Sequence, residues 1–359
     1  MKVGKRMFIG LIVIIALLLI GFIYEQISKQ RDAKRPLPGK LIDVGDYRVH
    51  LTDRGDGDPT IVLIHGAGDS SYSWIHVQNE LSKFSRVISY DRAGMGSSDS
   101  GSKPNPENTI KELNDLLQST DTKGPYILVG HSLGGLIARL YALKYPEQVS
   151  GIVFLDSTHE FLKDDVKFKQ GFGFIGFMLK VLRFLSPFGI PRFIGNVFDF
   201  LPMYGNEQKY YKQQISSDEY KQWKGTVYRI LAGKTAGDEF NGAWAHIDEA
   251  AKQLDNSKRK PQFGDIPIAV INNPGYGDDW TKMQMELATR STNHKHMTSD
   301  RKGHSLQMPR PEYVIEMIQH VIKQVQESNG RTLADCYEDS SNWHKVDSDT
   351  KLIHKHVHS

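Results

Sequence analysis

The ten residues Ile127–Leu136, ILVGHSLGGL, restrict what this chain can fold into more than any other stretch. An apolar run of strand length stops at a serine boxed in by glycines, and a helical pattern, LIARLYALKY, begins at once. Gly130-His131-Ser132-Leu133-Gly134 fits Gly-x-Ser-x-Gly, and Gly135 adds a further small residue. A serine on so sharp a strand-to-helix turn sits in strained backbone geometry, so only small neighbours fit beside it. The turn lifts the hydroxyl above the sheet. The following helix aims its N-terminal amides and positive dipole end at any negative charge that develops there.

The rest of the chain supplies a sheet for that turn. Short apolar strands are expected at Thr60–His65, Arg86–Tyr90, Tyr126–Gly130, Gly151–Leu155, Pro267–Ile271 and His294–Thr298. Amphipathic helices are expected between them, over Trp74–Phe84, Thr109–Gln118, Leu133–Tyr145, Trp280–Ser291 and Pro311–Gln326. Strands alternating with helices mean a mostly parallel central sheet covered on both faces. Ahead of them, KLIDVGDYRVHLTDRG alternates across Gly45-Asp46 as a hairpin does. From about Ser157 to Gln262 no short buried strand is expected. This aromatic and then polar stretch reads as a helical insertion over the sheet, its Phe and Met residues forming the insertion's own core. The tail after Gln326 has few apolar residues and no period, so it reads as flexible. His354, His356 and His358 on that tail do not make a metal site.

The N-terminus carries a second constraint. Met7–Tyr24, MFIGLIVIIALLLIGFIY, is uncharged and about 27 Å long as a helix, near the roughly 30 Å of a bilayer's hydrocarbon core. Lys2, Lys5 and Arg6 precede it; Lys29, Arg31, Lys34 and Arg35 follow. A cleaved signal peptide is the rival reading, but the run is long for one and no Ala-x-Ala-like pair follows. The run reads as an uncleaved transmembrane anchor, the basic stub inside and the body extracytoplasmic. Glu25–Gly39, closing on PLPG, reads as a tether. With one cysteine, Cys336, the body is held by its core and not by disulfides. A net charge of +3, without an aromatic-interleaved basic stripe, argues against nucleic acid as a partner.

Taken with three further segments, the serine turn resembles the α/β-hydrolase superfamily, in its serine esterase and lipase-like branch. IHGAGDSSYSW (Ile64–Trp74) is similar to the family's His-Gly loop, YDRAGMGSSD (Tyr90–Asp99) to its tight turn after the next strand, and GHSLQMPRPEYVIEMI (Gly303–Ile318) to its Gly-His loop and closing helix. Composition and charge divide the ends into a basic stub at 1–6, an anchor at 7–24, a linker at 25–39 and a polar tail at 329–359. The resemblance implies a hydrolase core at 40–156 and 263–328, interrupted by the helical cap insertion at 157–262. It implies Ser132 as nucleophile, His304 as general base, and the amides of Leu133 and Ala67 as oxyanion donors. A serine hydroxyl needs an imidazole within hydrogen-bond reach to take its proton. His131 abuts the serine, but its side chain should point elsewhere. His65 shapes the oxyanion loop, and Asp91 and Arg92 fix their own turn.

The acid stays open between two places. Asp156, in IVFLDSTHE, stands at a rigid strand end. Asp278, with Asp279 behind it, lies in the loop INNPGYGDDW, where the family usually draws its acid; an aspartate there also suits the N-cap of a helix near Trp280. The resemblance implies hydrolysis of a carboxylic ester through an acyl-enzyme, with no metal or organic cofactor; the anchor and the apolar insertion favour a lipophilic substrate. Two alternatives share the machinery: a small-molecule binding or signalling module with incidental turnover, and a carbon–carbon bond hydrolase or peptidase.

Overall fold

The computed structural model describes residues 2–35, 38–201, 203–205, 207–256 and 261–341. His354, His356 and His358 lie outside them.

Eight strands form one sheet: β1 (Lys40–Asp43), β2 (Arg48–Arg54), β3 (Thr60–Ile64), β4 (Val87–Asp91), β5 (Tyr126–His131), β6 (Val149–Leu155), β7 (Ile268–Asn272) and β8 (His294–Thr298). Their order is β1-β2-β4-β3-β5-β6-β7-β8. The hairpin β1–β2 joins the edge antiparallel, and every pairing from β4 to β8 is parallel. Strands β3, β5, β6 and β7 are buried along their whole length, as β-branched and apolar runs must be when helices cover both faces. On one face Ile61, Leu63, Ile127, Val129, Val153 and Leu155 form a dry core. Their alternates Val62, Ile64, Leu128, Ile152 and Phe154 form the other.

The helices are α1 (Lys2–Ala33), α2 (Ile75–Leu81), α3 (Pro106–Gln118), α4 (Leu133–Lys144), α5 (Val166–Leu185), α6 (Ile190–Val197), α7 (Glu207–Gln214), α8 (Ser217–Ala232), α9 (Thr235–Asn256), α10 (Asp278–Ala288), α11 (Pro311–Glu327) and α12 (Leu333–Ser341). Leu113 and Ile137 of α3 and α4 belong to the first-strand-alternate core with Val62, and Val77 and Ile318 of α2 and α11 to its opposite. The insertion is helical among its described residues, α5 to α9, with a core of its own around Trp223, Tyr204, Tyr211 and Leu179.

Two expectations fail at the ends. The polar tail contains α12, whose Leu333 and Cys336 join the main core; two apolar side chains are enough to seat a short helix where a packed surface already exists. The tether at 25–39 is, through Ala33, a continuation of α1. Glu25 is buried and pairs with Arg192 of α6 at 2.8 Å, and Asp32 binds the same guanidinium at 2.8 Å. Composition showed a polar, basic stretch; the ion partner that holds it lies about 160 residues away in the insertion.

The sheet order positions the site. Ligand crevices in such sheets open at the carboxyl ends of strands where the chain's direction of travel reverses. Here β3 lies between β4 and β5, with Ile64 beside Gly130. The loop at His65–Ala67 and the turn at Ser132 therefore emerge side by side. On the far flank of β5, His131 pairs with Leu155, which sets Asp156 next to the same turn.

Candidate active site

Ser132 leaves β5 with φ 52° and ψ −119°, a conformation that side chains with a Cβ rarely adopt. The strain is held by neighbours. Its N–H donates to Leu155 O at 3.0 Å, and its carbonyl accepts from Gly135 N at 3.0 Å and Thr158 N at 3.1 Å. Gly134 is required by close approach, because a Cβ there would overlap the carbonyl of Ile64. Leu133 is the first residue of α4, so its N–H has no carbonyl one turn back to bind. Ala67, on the neighbouring loop, lines the same cavity as Ser132.

His304, in the loop after β8, places Nδ1 2.6 Å from Asp156 Oδ2. An ionised carboxylate only accepts, so Nδ1 carries the proton and Nε2 keeps its lone pair. Burial pulls the His304 pKa down, but the hydrogen bond and charge of Asp156, with Glu207 and Asp69 beyond, outweigh it and leave it above 6.5. Asp156 is fully buried at a positive φ of 43°. It also accepts from Asn273 Nδ2 at 2.5 Å, Asn273 N at 3.2 Å and Trp280 Nε1 at 2.7 Å. Ser132 and His304 line one cavity of about 590 Å³, with Ala67 at its edge and Phe168, Phe172 and Met178 among its apolar walls.

A family model described as the alpha/beta hydrolase fold matches residues 59–232. The chain has the α/β-hydrolase fold. An uncharacterized protein of Schizosaccharomyces pombe is 31% identical over 204 residues, which are 48% of this chain and 37% of that protein; the chain spans less than half the length of the curated relatives it matches. Among solved structures, the Cif epoxide hydrolase of Acinetobacter nosocomialis has a TM-score of 0.63 at 20% identity, covering 83% of this chain and 96% of its own. A thermophilic esterase from Thermogutta terrifontis has a TM-score of 0.57 at 18% identity, covering 81% and 99%.

The remaining candidates hold other places in this fold. Asp278 and Asp279 are exposed in the first turn of α10, which starts two residues earlier than the sequence suggests, with Gly277 as its N-cap. There they favour the helix dipole, and Asp279 pairs with Lys282 at 3.1 Å. What the loop INNPGYGDDW delivers to Asp156 is donors, from Asn273 and Trp280. His131 packs against His304 with the rings tilted by 52° and their centroids 4.6 Å apart, and its Nε2 lies 2.9 Å from the His304 carbonyl, to which it must donate. Burial, aided by His304, pushes the His131 pKa well below 6.5. This neutral ring props the His304 backbone.

Asp91 fixes its own turn, accepting from Ser71 N at 2.7 Å and Ser97 N at 2.8 Å. Arg92 does not. It reaches across to the His65 and Gly66 carbonyls at 2.7 and 2.8 Å and so braces the loop that carries Ala67. His65, with its pKa pushed down to about 4 by burial and by Arg92, is a neutral part of that brace.

Sequence reasoning missed Glu239. This buried residue of α9 binds Arg92 at 2.6 Å and accepts from Gly68 N at 2.8 Å, tying the insertion to the same loop. Burial opposes its ionisation, yet Arg92 holds its pKa below the usual value. The available signal was an acid on the apolar stripe Ala236, Phe240, Ala243 and Ile247. Glu239→Ala is expected to cost about 3–5 kcal/mol, because it strands a buried guanidinium. Urea unfolding measures it, and a loss of about 0.5 kcal/mol, that of an ordinary surface change, would contradict the brace.

Proposed function

We propose that this chain is a membrane-anchored serine hydrolase that cleaves a lipophilic carboxylic ester through an acyl-enzyme. The observation that supports it most is the 2.6 Å contact of His304 Nδ1 with the buried Asp156, in a cavity shared with a strained Ser132. In this reading His304 Nε2 takes the Ser132 hydroxyl proton as Oγ attacks the ester carbonyl. The amides of Leu133 and Ala67 receive the oxyanion. The imidazolium, held by Asp156, gives its proton to the leaving alcohol. Water, activated by the same nitrogen, then releases the acid and restores Ser132.

Epoxide opening fits poorly. A serine attacking an epoxide carbon would form an ether, which this machinery cannot hydrolyse, whereas a carboxylate nucleophile forms an ester. The apolar cavity walls and the N-terminal helix, Gly4–Ala33, long and apolar enough to cross a bilayer, support a lipophilic substrate and an anchor.

The test is hydrolysis of a p-nitrophenyl ester series, acetate to palmitate, by the full chain in detergent, with fluorophosphonate labelling mapped by mass spectrometry. Turnover with label on Ser132 supports the reading; no turnover and no label returns the chain to the binding-module alternative. The pH profile carries a sign. His304 must be neutral to act as base, so kcat/KM is expected to rise with pH through a value above 6.5 and to be lost below it. A profile flat between about pH 5 and 8 would remove His304 from the base role.

A further inference from the structure

Helix α5 has two apolar faces. Phe168, Phe172, Ile175 and Met178 line the cavity. Phe174, Phe177, Val181 and Phe184 point the other way and are 65, 63, 41 and 73% exposed. Their spacing of three, four and three residues makes one stripe along the helix. Past the turn at Ser186–Phe188 the exposed apolar surface continues on α6 with Phe193, Ile194 and Val197, and then Phe198. A patch this size on a soluble surface marks a contact with something apolar.

Two observations say what covers it. The first is where α1 is held. Gly21 packs against the backbone of Phe188, so closely that a Cβ there would overlap its carbonyl. One helical turn on, Tyr24 accepts from Asn196 at 2.9 Å, and Glu25 and Asp32 clamp Arg192 of α6. The apolar run of α1 ends at Tyr24. A bilayer spanned by that run must therefore end level with the α5–α6 turn. The second is charge. Along α5 the exposed ionisable residues are Lys167, Lys169, Lys180 and Arg183, with no acid in the helix. A second copy of this face would set like charges together, whereas anionic headgroups would pair with them.

We propose that the α5–α6 face lies in the headgroup–acyl boundary of the bilayer that α1 spans, and that ester substrates reach the cavity from the lipid through the wall made by α5. This rests on the anchored-hydrolase reading above. The Arg192 clamp is what turns a flexible anchor into an oriented one. It holds an amphipathic helix flat on the surface, as free interfacial helices lie, with the inner face of that helix forming part of the substrate pocket.

The test uses the full chain reconstituted into phosphatidylcholine vesicles with and without phosphatidylserine. A bimane fluorophore is attached at Ile14→Cys, Phe177→Cys, Phe193→Cys or Lys323→Cys. Native Cys336 is buried, its thiol pushed up to about 11 by burial, and so stays unlabelled. Quenching at 177 and 193 by lipids carrying a nitroxide near the headgroup, stronger with phosphatidylserine and absent at 323, is the expected result. Quenching at 14 by lipids carrying the nitroxide deep in the acyl chain, without headgroup-nitroxide quenching at 177 and 193, keeps the anchor and overturns this inference. No quenching at 14 by the deep nitroxide removes the anchor itself and the inference with it. Shielding of 177 and 193 from aqueous iodide without lipid quenching assigns the face to a protein and also overturns it. Separately, Phe177→Asp with Phe184→Asp and Phe193→Asp is expected to lower the ratio of activity on a vesicle-embedded long-chain ester to that on a soluble short one about tenfold; an unchanged ratio overturns the lipid route.

Discussion

Ser132→Ala is expected to lower kcat for any ester the chain hydrolyses by about a millionfold, and to leave its stability unchanged. The first part follows from the proposed mechanism: without Oγ no acyl-enzyme forms, and the remaining donors only bind the substrate. The second follows from the backbone. Ser132 sits at φ 52° and ψ −119°, held by hydrogen bonds from its main chain to Leu155, Gly135 and Thr158. Alanine keeps the Cβ and therefore the strain. Ser132→Gly removes both, and is expected to be equally inactive but more stable by about 1 kcal/mol. Residual activity of Ser132→Ala within about tenfold of the parent would require another nucleophile. A glycine variant less stable than the parent would mean that the turn stores no strain.

Asp156→Asn is expected to lower kcat about ten-thousandfold, while Asp278→Asn leaves it unchanged. Asp156 accepts four hydrogen bonds, from His304, from Asn273 twice and from Trp280. A carboxamide has one acceptor oxygen. If that oxygen takes the place of Oδ1, it keeps Asn273 N and Trp280, and the amide NH2 faces His304 Nδ1 and Asn273 Nδ2; the ring then carries its proton on Nε2, and no lone pair is left for Ser132. If it takes the place of Oδ2, the NH2 is pressed against Asn273 N and Trp280 Nε1. Either way an NH2 meets N–H donors in a buried site, at a cost of about 1–3 kcal/mol that urea unfolding measures beside the steady-state kinetics. Asp278 is exposed at the start of α10 and is not among the groups bonded to His304. A loss in Asp278→Asn as large as in Asp156→Asn would reassign the acid.

The elements legible in the sequence are those whose cause is local. The strands β3, β5, β6 and β7 are short runs of Ile, Val and Leu between turn residues, and the structure keeps them within two residues of the expected bounds. The turn at Ser132 needs its small neighbours within the same six residues, so its motif is self-contained. The oxyanion loop was half legible. His65-Gly66-Ala67 could be recognised, but its support by Arg92 and Glu239 joins residues 147 apart. Arg92 was read as serving its own turn because nothing nearby offered it a carboxylate. The helix over 25–33 was missed for the same reason, since Arg192 lies in the insertion.

By itself, the sequence determined that a parallel sheet would carry a serine on a strained turn, with a histidine loop after the last strand and an apolar helix at the N-terminus. The sheet, the turn and the helix follow from periodicity and from what glycine permits, which act over a few residues; the histidine loop was legible only through the family resemblance. Only the tertiary structure decided which carboxylate meets His304 and which way the insertion faces. Asp156 and Asp278 are equally acidic as residues. What separates them is that the β5–β6 pairing buries one beside the serine turn with three N–H donors around it, whereas the start of α10 leaves the other in water. Charge partners and packing partners are chosen in space, and a chain of side chains read in order does not contain those distances.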